Sequence, residues 1–298
     1  MDNARFEIVN LKSHGLPFNC LITNYIATDK EKVITPHWHY HIELIFCILG
    51  SAKVNLGGKI HEFSKGDLVI INSQQVHSFY FLNGQKAAYI VIQFVPEVLY
   101  STTSHSLFEF KYILPFTMAN IQHQNLINSR ELQQTDIPQL IHKIYDEFKN
   151  QSYGFELSMK ALICMVFTQI LRNWEKNSVK INIGASIKEV NLIKIQKTLD
   201  YLKENYTQDI SLESAAKICN LSYSYFSRTF KVIMGKSFIE YLNYIRISEA
   251  ERLLICSDLN VTQIALNVGY SNPSYFIRQF KRLKGICPTI FRTHSGQL

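Results

Sequence analysis

The sequence predicts an α+β, multidomain chain. An N-terminal antiparallel β-barrel comes first, then a helical pair, then a C-terminal all-α domain with two helix-turn-helix motifs. Three observations carry this. Short apolar stretches separated by glycine turns fill the first third of the chain, the pattern of a small barrel or sandwich. Near Ile137 the apolar spacing changes to three and four, the helical period. One short pattern then occurs twice, at Ala215–Lys231 and at Ile264–Lys281, with Phe226 and Phe276, Arg228 and Arg278, and Lys231 and Lys281 each 50 positions apart.

The strands include Ile42–Leu49, Leu68–Ile71 and Ala88–Val95, broken by Gly50, Gly57-Gly58, Gly66-Asp67 and Asn83-Gly84. Pro36-His37-Trp38-His39-Tyr40-His41-Ile42-Glu43 opens one of them. Alternate residues of a regular strand share a face. His37, His39, His41 and Glu43 are therefore expected to point one way, with His77 brought opposite by closure of the barrel. Imidazoles and a carboxylate that converge in a barrel suit three purposes. They bond the hydroxyls or carboxylate of a small molecule. They ligate Fe, Mn, Zn, Cu or Ni. They also satisfy one another in a purely structural cluster. The small-molecule reading leads, with His37, His39, Glu43 and His77 as binding residues and His41 and Trp38 as lesser candidates; a metal at the same four residues is the weaker reading, and no cofactor is expected.

The helical pair follows. Ile137–Asn150 has Asp136 as its expected cap and Pro138 in the first turn. Gly154–Trp174 carries Phe155, Met159, Leu162, Val166, Ile170 and Trp174 at spacings of three or four, widened by Ile163, Phe167 and Leu171. A helix this apolar needs cover on more than one side, so it is expected to lie against the barrel and against a second subunit; burial within one chain is the alternative. Lys176–Ser186 loses the pattern and reads as a linker.

Two further helices are expected, Val190–Asn205 before the first motif and Phe238–Leu254 between the motifs. In each motif a small residue, Ala216 or Ala265, stands where two helices cross. Asn220 and Gly269 tolerate the left-handed turn, and Ser222 and Ser271 are expected to cap the second helix. Phe226 with Phe230, and Phe276 with Phe280, share the buried face. The outer face carries Tyr223, Ser224, Ser227 and Arg228, then Asn272, Ser274, Tyr275 and Arg278; all of these but Tyr275 are the expected base readers. Lys231, Lys236, Lys281 and Lys284 are expected on phosphates. Two copies in one register argue against ordinary helical hairpins.

Of 298 residues, 47% are hydrophobic and 18% charged, a globular balance with room for more than one core. From Ser186 onward Lys+Arg number 15 and Asp+Glu 9, a net +6, which leaves +1 of the total +7 for residues 1–185. The positive excess therefore lies with the repeats, as phosphate binding requires. No leader pattern and no apolar run of membrane-spanning length is visible, so the chain is expected in the cytoplasm. The six scattered cysteines read as free thiols.

These residues resemble the AraC family of transcription regulators. The C-terminal similarity runs from about Ile193 to Thr293. It rests on Leu221-Ser222…Phe226…Arg228…Phe230-Lys231 and on Val268-Gly269-Tyr270-Ser271-Asn272-Pro273-Ser274-Tyr275-Phe276…Phe280-Lys281…Gly285…Pro288. The N-terminal part is similar to the cupin-type sensor barrel. His37-x-His39-x-x-x-Glu43, followed by six residues and Gly50, fits the first cupin motif, and Gly66-Asp67…Val76-His77-Ser78 the second. Ser73-Gln74-Gln75 stands where Pro and Gly are usual, which weighs against a metal.

The resemblance implies a cupin-like effector-sensing barrel over 1–135, a helical dimerisation segment over 136–176, a linker over 177–190, and a DNA-binding domain over 191–298 with motifs at about 211–232 and 261–283. It implies an activator that answers to a small molecule such as a sugar. The expected partners are a double-stranded DNA operator, the effector, a second copy of the chain and RNA polymerase. The alternative is a metal-dependent cupin enzyme fused to a DNA-binding tail.

Overall fold

The computed structural model describes residues 4–7, 16–26, 32–81, 86–99, 112–113, 115–117, 123–179, 189–234, 236–284 and 286–295. The Asn83-Gly84 turn and most of the 177–190 linker lie outside them. The chain forms two compact units; among the described residues from 17 onward, those up to Val179 belong to the first and those from Glu189 to the second.

The first unit holds strands β1 (Arg5–Phe6), β2 (Phe18–Ile26), β3 (Lys32–Trp38), β4 (Ile42–Leu49), β5 (Ser51–Leu56), β6 (Lys59–Ser64), β7 (Leu68–Ile71), β8 (His77–Phe81), β9 (Lys86–Phe94) and β10 (Leu126–Ile127). They form two sheets, β1-β3-β8-β5-β6 and β10-β7-β4-β9-β2. β1 pairs with β3 in parallel, a departure from the all-antiparallel expectation; the other pairs described are antiparallel. Both sheets close on one core containing Ile45, Val54, Phe63, Ile71, Phe79, Phe81 and Tyr89.

β5 buries every second residue, whereas Ile42–Cys47 of β4 is buried without a break. A strand buried on both faces needs cover outside the barrel. Helices α2 (Ile137–Asn150) and α3 (Phe155–Lys176), which follow the short α1 (Ser129–Leu132), supply it. Phe167 meets Phe94 edge-on at 5.4 Å, His142 meets Phe46 at 5.9 Å, and Phe148 meets Phe18 at 6.4 Å. The helical pair thus belongs to the barrel unit. Asp136 holds the cap position of α2, but its side chain makes no capping bond; Thr135 Oγ1 accepts from Ile137 N at 3.3 Å instead.

The second unit is helical: α4 (Glu189–Asn205), α5 (Leu212–Ile218), α6 (Tyr223–Met234), α7 (Phe238–Cys256), α8 (Val261–Asn267), α9 (Pro273–Lys284) and α10 (Pro288–Ser295). α5 with α6, and α8 with α9, are the two helix-turn-helix motifs. Ala216 and Ala265 are buried at the crossings, and Asn220 (φ +51°) and Gly269 (φ +89°) make the left-handed turns. Ser222 Oγ accepts from Tyr225 N at 3.4 Å. In the second motif the expected cap is displaced by one residue. Asn272 Oδ1, not Ser271, accepts from Tyr275 N at 3.1 Å, and that extra residue lengthens the turn.

Candidate functional site

The histidine run does not form one strand. β3 ends at Trp38 and β4 begins at Ile42, so His39 and His41 sit in the connection between two sheets. The alternation argument therefore fails, yet three of its four residues still converge. His37 leaves β3, Glu43 enters β4, and His77 opens β8 opposite His37. Two turn contacts hold the connection in place: Ser73 Oγ donates to Tyr40 O at 2.8 Å, and Gln74 N to His39 O at 2.8 Å. Gln74 makes that turn in the left-handed region, at φ 63°.

His39 Nε2 lies 3.1 Å and His77 Nε2 3.4 Å from Glu43 Oε2. The ligand-capable atoms of His37, His39 and His77 all lie within 4.8 Å of one another. Each Nδ1 faces a carbonyl: His37 to Thr35 O at 2.9 Å, His39 to His41 O at 3.1 Å, and His77 to Gln75 O at 2.8 Å. A carbonyl only accepts, so each Nδ1 carries a proton and each Nε2 is turned to the cluster. Bare Nε2 lone pairs would oppose the carboxylate, so the cluster calls for positive charge at its centre.

Electrostatics agree. Burial disfavours charge on His39, but Glu43 outweighs it and raises the imidazole above its usual pKa. Burial would likewise raise Glu43, and the hydrogen bond from His39, with the His77 imidazole close by, holds it well below the usual carboxylate range. Burial, with His77 beside it, lowers His37. His41 stands outside the converging set, its ring 5.9 Å from that of His39. Trp38 packs edge-on against Tyr40 at 5.6 Å.

Two neighbours were not foreseen. Gln93 Nε2 donates to Glu43 Oε1 at 3.3 Å, and Glu7 Oε2 lies 3.3 Å from His37 Nε2. Gln93 left a trace, as the one polar residue in the run Tyr89–Phe94. Glu7 left none, because its partner is set by the pairing of β1 with β3.

In the helical unit, Tyr223, Ser224, Arg228 and Lys231 of α6 are exposed and Ser227 is half-buried along the same face. Asn272, Ser274, Arg278 and Lys281 are exposed at the start and along one face of α9. Arg228 Nε donates back to Ser224 O at 3.3 Å, and the Arg278 guanidinium lies 5.8 Å from the Tyr275 ring centre. The Asn272 carbonyl is occupied by its cap, which leaves the amide nitrogen to donate. Lys236 lies over the Tyr244 ring, 5.0 Å from its centre, and Lys284 pairs with Glu251. Both are thus engaged within the domain. Among the described residues no helix is long and apolar enough to cross a membrane.

Comparison with known proteins follows this division. Residues 19–165 match the model of the AraC-like ligand binding domain, and residues 215–294 match a helix-turn-helix domain. The uncharacterized HTH-type transcriptional regulator YdeC of Bacillus subtilis is 24% identical over 98% of this chain and 97% of its own length. The lactose operon transcription activator of Staphylococcus xylosus is 31% identical over 53% of this chain, which spans 54% of that relative. Among solved structures, ToxT of Vibrio cholerae is 16% identical over 93% of this chain and 98% of its own, with a TM-score of 0.41. The chain belongs to the AraC family of transcription regulators, with an N-terminal ligand-binding domain and a C-terminal helix-turn-helix domain that binds DNA.

Proposed function

We propose that this regulator activates transcription when a small molecule occupies the barrel at His37, His39, Glu43 and His77. The observation that carries this is the buried Glu43 carboxylate with inward-turned imidazoles around it. A sugar suits the set, because its hydroxyls both donate to a carboxylate and accept from a protonated imidazole. A relative named for the lactose operon supports both the sugar and the activation. The base readers are Tyr223, Ser224, Ser227, Arg228, Asn272, Ser274 and Arg278, with Lys231 and Lys281 on phosphates. The protein works in the cytoplasm as a homodimer, meets RNA polymerase at the promoter, and turns over no substrate. Genome-wide mapping of bound DNA tests the reading. The genes beside the bound sites name candidate effectors, and each is then assayed for a change in operator binding that Glu43→Gln abolishes. Operator binding indifferent to every such candidate would sink the effector reading.

One observation favours a second occupant. With all three Nδ1 atoms tied to carbonyls, the Nε2 atoms and Glu43 make a donor set that suits a first-row divalent ion. Bonds of about 2.0–2.1 Å would draw the ligand atoms slightly closer together. Metal analysis of protein purified without added metal decides. Stoichiometric iron, manganese or nickel that is lost in His39→Ala would replace the small molecule by an ion.

A further inference from the structure

We propose that Gly269, Tyr270 and Asn243 form a lock that seats the second helix-turn-helix on the first, so that the domain reads one spacing between its two half-sites. The proposal rests on α6 and α9 being the reading helices. Gly269 makes the turn of the second motif at φ +89°, and a Cβ placed on it would stand 2.6 Å from Thr207 O, 2.8 Å from its Cα and 2.9 Å from its C. Thr207 lies between α4 and α5, at the entry to the first motif. The turn of the second motif therefore rests directly on the backbone of the segment that leads into the first, and the contact admits no side chain.

Arg246 of α7 holds the same entry segment. Its Nε donates to Tyr206 O and its Nη2 to Gln208 O, each at 2.8 Å. Tyr270, from the second motif, lays its ring 5.3 Å from that guanidinium. The Tyr270 hydroxyl donates to Asn243 Oδ1 at 2.9 Å, and both residues are buried. Asn243 Nδ2 in turn reaches Tyr275 Oη at 3.5 Å, and Tyr275 lies beside Arg278. The chain of contacts thus runs from the entry of the first motif to a reading arginine of the second.

The internal repeat separates lock from motif. Arg292 of α10 grips Leu254 O at 3.1 Å and Leu259 O at 2.6 Å, as Arg246 grips the segment before the first motif. The grip is therefore part of each motif. The residue that follows the turn is Leu221 in the first copy and Tyr270 in the second. Leucine has no hydroxyl, so the Tyr270–Asn243 bond belongs to the joint alone. A buried polar pair selects one seating, since any other leaves a donor or acceptor unpaired. Tyr270, Asn243 and Gly269 are accordingly positioning residues that touch no base.

The test uses the full chain and a duplex selected by it from a random library. The duplex is then remade with one base pair removed, or one or two added, between the half-sites. Each added pair moves the second half-site about 3.4 Å along and about 35° around the helix. Wild type should strongly prefer one spacing. Tyr270→Phe, which keeps the ring and removes the donor to Asn243 Oδ1, should cut that preference about tenfold. Gly269→Ala should cut it further. In both, cooperative thermal unfolding should persist and binding at the wrong spacings should hold or rise. Equal loss at every spacing would show a merely structural role and overturn the lock, as would an unchanged preference in both variants or a wild type indifferent to spacing. A chain that selects no duplex overturns the DNA-reading assignment beneath it.

Discussion

His123 sits where two layers of the first unit meet. Its Nε2 donates to Asn72 Oδ1 at 2.8 Å, and its ring lies 4.6 Å from that of Trp174 on α3. Burial lowers its pKa to about 4, against about 6.5 in an unfolded chain. Between those values the unfolded state binds the extra proton, so stability falls as pH falls through about 6.5 towards 4. The loss amounts to up to about 3 kcal/mol. His123→Gln keeps a donor for Asn72 and removes the titration. Urea unfolding at pH 7 and pH 4.5 should show a smaller loss in the variant by about 2 kcal/mol; equal losses would place the acid sensitivity elsewhere. Arg278 is the proposed base reader to test first, because it is exposed and its guanidinium lies over the Tyr275 ring. If it is bidentate to a guanine, Arg278→Ala should cost about 1–3 kcal/mol on the selected duplex and little on random DNA. Equal loss on both would make it a phosphate clamp.

The element that would carry the proposed dimer is α3. One face carries Met159, Ile163, Val166, Phe167, Ile170 and Trp174 into the barrel unit. The opposite face leaves Leu157 75% and Met165 51% exposed, and Met165 lines a surface hollow of about 300 Å³ with Cys164, Thr168, Gln169 and Arg172. This is the half of the apolar pattern that intramolecular burial does not use, and a second copy of the chain would cover it. Met165→Glu should therefore shift the full chain from dimer to monomer in sedimentation while its unfolding temperature stays within a few degrees, since the site is exposed. An unchanged dimer would move the interface off this face. The helical elements were legible because Gly154, the Phe226/Phe230 and Phe276/Phe280 pairs, and the two left-handed turns are local signals. The break of the histidine strand at His39–His41 was not. Alternation reads direction along one strand, and here the chain crosses between sheets within three residues. The Asn272 cap was missed for a related reason: Ser271 and Asn272 both cap well, and the choice follows from the length of a turn that only packing fixes.

For the whole molecule, the uneven spread of charge legible in the sequence becomes a surface with a direction. Arg228, Lys231, Arg278 and Lys281 are all exposed on α6 and α9, whereas Lys284 and Arg282 are drawn onto Glu251 and Glu240. Net charge alone could not make that distinction, because ion pairs across helices are invisible until the fold brings them together. The division sets a magnitude. If Lys231 and Lys281 meet phosphates as proposed, those two contacts should make the logarithm of the binding constant fall with the logarithm of salt at a slope of about −2 for each domain. Lys281→Ala should reduce the slope by about one, and Lys284→Ala should leave it unchanged. The two motifs also present different faces, Tyr223-Ser224 at the head of α6 against Asn272 and Ser274 at the head of α9. One domain should then require an asymmetric site. Exchanging the order of its two half-sites should weaken binding by about 1–3 kcal/mol for each base pair misread, while the salt slope is retained because phosphates are the same in either order. Titrations of the selected and exchanged duplexes at several salt concentrations separate the two effects. Equal affinity for both orders would mean that α6 and α9 read alike, despite the different residues at their heads.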